Sequence, residues 1–121
     1  MIGYATIGSN DLEKAKTFYD AVLAPLGGKR TFASDRMQGY AGEGGAMLAV
    51  CRPYDEKAAV PGNGNMVALA SPSPALVNQV HSLALSKGAT DEGAPGERMP
   101  GFYGAYFRDL DGNKVCVFKM G

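Results

Sequence analysis

The chain has one histidine, two cysteines and no excess of either charge, and each scarcity removes a class of function. A single imidazole cannot supply, within one chain, an iron centre of two histidines and a carboxylate. Two cysteines cannot form a disulfide framework for 121 residues, and the spacing of Cys51 and Cys116 matches no zinc motif. Reduced thiols and a cytoplasmic location are therefore expected. Twelve basic and twelve acidic side chains cancel, and no Lys/Arg cluster stands out, which argues against a nucleic-acid partner. The longest apolar run, Ala46 to Cys51, is too short to cross a bilayer. Residues 1 to 9 read as a strand, with no basic segment leading an apolar one, so neither a signal peptide nor a membrane anchor is expected.

What is present has the organisation of one small domain. Residues 3 to 9 are strand-like and end at Ser9-Asn10-Asp11, where a capping box from Asn10 would place Glu13. Leu12, Ala15, Phe18, Tyr19, Val22, Leu23 and Leu26 recur at helical spacing, and Gly27-Gly28 stops the helix. Three short strands are predicted near Lys29 to Ser34, Met37 to Gly42 and Ala46 to Arg52, and Pro53 to Gly64 reads as a linker. The pattern then restarts. Asn65 to Ser71 is strand-like, Ser73-Pro74 opens a helix that ends at Gly88, and Leu76, Val80, Leu83 and Ala84 form its stripe. Ala89 to Gly101 reads as a loose Gly/Pro-rich stretch before a hairpin that turns at Asp111-Gly112-Asn113.

Sliding the chain by 62 residues lays the halves over each other: Tyr4 on Met66, Ile7 on Leu69, Ser9 on Ser71, Asp11 on Ser73 and Phe18 on Val80. Few identities survive, and what repeats is strand, cap and helix. The reading is α+β: two βαβββ modules in a single domain, roughly residues 1–60 and 61–121.

Arg108-Asp-Leu-Asp-Gly-Asn-Lys-Val-Cys116, the opening Gly3 to Tyr19, Arg52-Pro-Tyr-Asp55, Gly62-Asn-Gly64 and Gly101-Phe-Tyr103 occur together in an order that resembles one family. This is the glyoxalase, bleomycin-resistance and extradiol-dioxygenase superfamily, the vicinal oxygen chelate proteins. The resemblance covers nearly the whole chain. It implies a curved mixed sheet around a cavity, a homodimer, and a small-molecule ligand held near or across the dimer interface. The family's hairpin motif is Asp-Pro-Asp-Gly-Asn, two residues, then a metal-binding glutamate. Cys116 stands at that glutamate's position.

Carried over residue by residue, the family's metal positions fall on Tyr4, Met66, Cys116 and the stretch Leu48 to Val50. A thioether and aliphatics are not ligands for Mg, Mn, Ni or Fe(II). The expectation is therefore no cofactor and a ligand pocket lined by Tyr4, Leu48, Val50, Met66, Tyr103, Cys116 and Phe118. Arg52 and His81 are possible polar contacts, although a helix-flank role for His81 accounts for it as well. Tyr40, Tyr54 and Tyr106 could offer phenols, and Arg98 and Arg108 could meet an anion, with surface ion pairing the plainer role for each arginine. Both cysteines sit among apolar neighbours and are expected to be inert. Two alternatives stay open: a lyase or dioxygenase holding a divalent metal, zinc on Cys116 and Tyr4 for example, and a dimeric interaction module without a ligand.

Overall fold

A computed structural model describes residues 1–121 and arranges them as two βαβββ modules. The first runs β1 (Tyr4–Gly8), α1 (Leu12–Leu23), β2 (Lys29–Ala33), β3 (Met37–Ala41) and β4 (Met47–Cys51). The second runs β5 (Val67–Ala70), α2 (Pro74–Ser86), β6 (Thr90–Met99), β7 (Phe102–Arg108) and β8 (Lys114–Met120). Each module forms a four-stranded sheet of the same order, β1-β4-β3-β2 and β5-β8-β7-β6. In both, the first strand runs parallel to the last and the other pairings are antiparallel. The sheets are open and share no strand pairing, so the curved sheet of the sequence reading is divided in two.

The 62-residue offset holds down to single hydrogen bonds. The Asp11 side chain accepts from the Lys14 N–H and caps α1, and Ser73 does the same for α2 from Leu76. Ser9 and Ser71 are buried just past their strands, donating backbone N–H bonds to the Cys51 and Phe118 carbonyls at 2.8 and 2.7 Å. Asn10 is not the cap. Its side-chain amide is taken by the linker, accepting from the Ala59 N–H at 2.7 Å and donating to the Ala59 carbonyl at 3.1 Å. The helical stripe through Leu26 also divides: α1 stops at Leu23 and Ala24–Leu26 form a tighter 3-10 turn around Pro25.

The largest departure is β6. Ala89 to Gly101 reads as loose coil, yet Thr90–Met99 pairs along β7 as the outer strand of its sheet. The register slips at three points, and Gly93, Pro95 and Gly96 fall within those slips. Proline removes a donor that an edge strand can spare on its solvent side. Breakers therefore mark bulges here, and the strand goes unread because its period-2 pattern is interrupted.

One core serves both modules. Phe18, Tyr19 and Val22 of α1 and Val77, Val80 and Ala84 of α2 meet Tyr40, Leu48 and Val50 from one sheet and Ala105, Phe107, Val115 and Val117 from the other. The Phe18 and Phe107 rings meet edge to face, with centroids 6.1 Å apart. The helices thus lie inside, and each sheet turns its second face outward. No helix is long and apolar enough to cross a membrane.

A polar node fastens the modules within that core. Tyr19, 1% exposed, donates its phenolic O–H to Asp109 at 2.5 Å. Asp109 also accepts from the backbone N–H groups of Asp111 and Asn113 and from the Asn113 amide. Asn113 in turn donates to the Gly8 carbonyl at the end of β1, and Asp111 accepts from the Asn10 N–H. The β7–β8 turn is thereby tied to module one at three places. Burial, then the Asp109 carboxyl, pushes the Tyr19 phenol well above its usual pKa, which keeps it a donor. Tyr19→Phe should lower stability by about 1.5–3 kcal/mol, the range for a bond to a charged partner. Urea unfolding would read this as a lower midpoint at unchanged slope, and an unchanged midpoint would mean the other bonds suffice without it.

Candidate functional site

Strand alternation sorts the side chains between core and outward face. On sheet one the outward residues are Tyr4, Thr6 and Gly8 of β1, Met37 and Gly39 of β3, and Met47, Ala49 and Cys51 of β4. Phe32 folds across this face above Gly39 and meets the Tyr4 ring edge-on at 6.4 Å. Beside them is an open cleft of about 470 Å3. Thr6, Gly8, Met37 and Cys51 line one side of it, and linker residues Pro53, Tyr54 and Ala58–Val60 line the other. The linker is held there by the Asn10–Ala59 pair and by Arg36, which donates to the Arg52 carbonyl at 2.8 Å and lies over the Tyr54 ring at 5.5 Å. A Cβ at Gly8 would come within 3.0 Å of the Ala59 Cβ, so glycine permits this close approach.

On sheet two the outward face carries a different chemistry. Phe102 and Phe118 stack nearly parallel, 7° between planes and 5.4 Å between centroids. Tyr106 lies directly across from Cys116. The Arg98 guanidinium is 5.3 Å from the Tyr106 ring centroid and the Lys114 ammonium 5.6 Å. Burial raises the pKa of the Cys116 thiol, opposed in part by Tyr106, Arg98 and Lys114. Burial, then Cys116, raises that of the Tyr106 phenol. Both groups therefore keep their protons near neutral pH.

The structure divides the pocket residues expected from the sequence. Cys116 and Phe118 share the outward face of sheet two, and Tyr4 is on that of sheet one. Met66 is exposed just before β5. Leu48 and Val50 are corrected: they alternate into the helix-covered core, and Met47, Ala49 and Cys51 take the outward positions. Tyr103 likewise packs toward α2, donating to Asn78 at 2.7 Å. Arg52 reaches the Asp35 carbonyl at the surface. His81 is buried between α2 and β6 with Nε2 3.0 Å from Asp91, and it faces neither sheet's outward side. Val115 and Val117 pack on the helices, so Lys114, Cys116 and Phe118 share a face as the alternation requires. Sequence reasoning passed over Phe32, Met37 and the linker wall, whereas alternation in the last strand did place Lys114 beside Cys116 and Phe118. The one available signal was Gly39, a glycine within a strand, which marks the close approach of another group.

With this geometry in view, comparison with known proteins is decisive for the family. The family model "Glyoxalase/Bleomycin resistance protein/Dioxygenase superfamily" matches residues 1–117. The chain belongs to this superfamily. It is similar to a glyoxalase/bleomycin resistance protein from Albidiferax ferrireducens T118 at 34% identity and a TM-score of 0.90, with 98% of this chain and 97% of that one covered. A superfamily enzyme from Burkholderia phytofirmans PsJN is 18% identical with a TM-score of 0.76, covering 98% of each chain. A glyoxalase-related enzyme from Fulvimarina pelagi is 18% identical with a TM-score of 0.78, covering 98% of this chain and 86% of that one. These last two share the fold. Comparison with curated proteins gives no match.

Metal-binding members of the superfamily draw ligands from the first and last strands of each module. Here β1, β4, β5 and β8 contain no histidine, aspartate or glutamate on either face. This holds whatever the register. Their outward donors are the Tyr4 phenol, the Met47 thioether, the Thr6 hydroxyl and the thiols of Cys51 and Cys116, and no three His, Cys, Asp or Glu side chains converge anywhere. Hard divalent ions call for carboxylate or imidazole, so these residues do not fit such a centre. Burial, which raises the pKa of the Cys116 thiol, makes it a poor nucleophile. In native protein at pH 7–8 it should resist a thiol reagent such as DTNB and react once urea unfolds the chain. Rapid native labelling at Cys116, located by peptide mapping, would show a thiolate there.

Proposed function

We propose that the protein binds a small, partly apolar molecule against its outward sheet faces without the superfamily's metal, and that a second copy of the chain closes those faces over the ligand. The observation that carries this reading is the absence of any carboxylate or imidazole from the four strands that would supply a metal's ligands. The binding scaffold is kept while the chelating chemistry is missing. A cleft of about 470 Å3 is of the size that takes small organic ligands. Tyr4, Met66 and Met120 stand 59%, 47% and 63% exposed, which is apolar surface suited to a partner. Two buried, unpaired cysteines suit a reducing cytoplasm.

The contrasting reading, a lyase or dioxygenase with unusual ligands, has to hold its metal on Cys116. Burial disfavours the thiolate that such a bond requires, and no observation favours this reading over simple binding. Metal analysis after dialysis should find far less than one divalent ion per chain. Sedimentation should show a dimer rather than a 12.6 kDa species. A thermal-shift panel of small organic compounds should contain stabilising members. Stoichiometric metal surviving dialysis would establish the enzyme reading, and a monomer at micromolar concentration would leave both faces open.

A further inference from the structure

The outward face of sheet two carries two cations that the rest of the chain does not neutralise. Five ion pairs form in the molecule, and neither Arg98 nor Lys114 takes part in one. Arg108, at the end of the same face, is already matched to Glu92 at 2.6 Å. Arg98 is nevertheless held in place. It donates from Nη1 to the Gly96 carbonyl at 3.1 Å and from Nη2 to the Ala94 carbonyl at 2.6 Å. Those carbonyls fix the guanidinium without cancelling its charge, and three of its five N–H donors remain. Lys114 reaches the same Tyr106 ring, and both cations act on the Cys116 thiol. Two cations brought to one ring, neither paired with a carboxylate, leave this part of the face positive and favour an anion there.

Small residues place this charge beside an apolar surface. A Cβ on Gly93 would lie 3.0 Å from the Tyr106 ring and 3.2 Å from Arg98 Nη2. One on Gly104 would lie 2.9 Å from the Phe102 ring and 3.7 Å from the Tyr106 hydroxyl. Arg98, Tyr106, Phe102 and Phe118 thus follow one another across the sheet, with glycine beneath the first two junctions. Cations stand at one end, a phenolic donor in the middle and a stacked aromatic pair at the other end.

We propose that this face binds an aromatic carboxylate, its anion held between Arg98 and Lys114 and its ring laid against the Phe102–Phe118 stack. The Tyr106 O–H gives a third donor to the carboxylate. The guanidinium suits such an anion because its planar fork matches two oxygens at once. Because Tyr106 and Cys116 both keep their protons, neither adds a negative charge to repel the ligand, and the site is built for binding rather than nucleophilic attack.

This inference deepens the small-molecule reading above and rests on it. Calorimetric titration of the purified protein with phenylacetate and with its neutral counterpart phenylacetamide tests the charge directly. Phenylacetate should bind about tenfold tighter or more, and its advantage should shrink as salt is raised. Arg98→Gln and Lys114→Gln should each weaken phenylacetate by about tenfold while leaving phenylacetamide unchanged. Equal binding of acid and amide, or full acid affinity in the double variant, would sink the carboxylate assignment and leave small-molecule binding standing. If neither compound binds, the assignment is overturned here, and the broader reading is decided separately by the thermal-shift panel.

Discussion

The hydrogen-bonded node at Asp109 is the constraint on which the rest of the molecule depends. Two open sheets with a helix each could associate in several ways, because apolar packing has no direction of its own. The bond from Tyr19 and the Asn113 bridge to the Gly8 carbonyl specify one arrangement, with helices inside and sheet faces outside. A misplaced module would bury the Tyr19 hydroxyl unpaired and leave Asp109 with only the bonds of its own turn, at a cost of about 1–3 kcal/mol for an unsatisfied buried group. The node lies in the same β7–β8 turn that carries the family resemblance. That turn is an inter-module fastener as much as a reversal of the chain.

The reading of the chain succeeded where local chemistry repeats and failed where it is interrupted. The strand, cap and helix periodicity located both modules, and the caps at Asp11 and Ser73 bear out the offset bond by bond. β6 escaped because glycine and proline at its bulges erase alternation, and only pairing with β7 reveals the strand. The faces were partly legible. Alternation in β8 put Cys116 opposite Val115 and Val117, but nothing local told which side of β4 faces the helices, and Leu48 and Val50 lie in the core. Arg98 and Lys114 are distant in sequence, and they converge through a ring on a third strand.

Metal sites and neutral clefts impose different demands on the same scaffold. A chelating centre needs several hard donors at fixed distances, each itself oriented by a further bond. Loss of any one weakens the whole. The present faces keep phenols, thiols, thioethers and phenyl rings, groups that adapt to a ligand's shape and tolerate exchange for one another. Their polarity differs between the two sheets. Sheet one offers Tyr4, Phe32 and Thr6 beside a linker wall, whereas sheet two concentrates positive charge near a thiol. The two modules therefore share backbone geometry and present unlike surfaces.

The slips in strand register also govern how copies of the chain can meet. β2 and β6, the far edges of the two sheets, each depart from regular pairing, and β6 carries a proline as well. Irregular, twisted edges are poor templates for a further strand. β1 and β5 pair regularly with one neighbouring strand apiece, and no strand covers their other edge, although the Asn113 amide takes the Gly8 carbonyl at the end of β1. Growth by strand addition is confined to those two short edges. Pairing of β1 with the partner's β5 about a two-fold axis would consume both edges at once and leave no end from which a filament could extend.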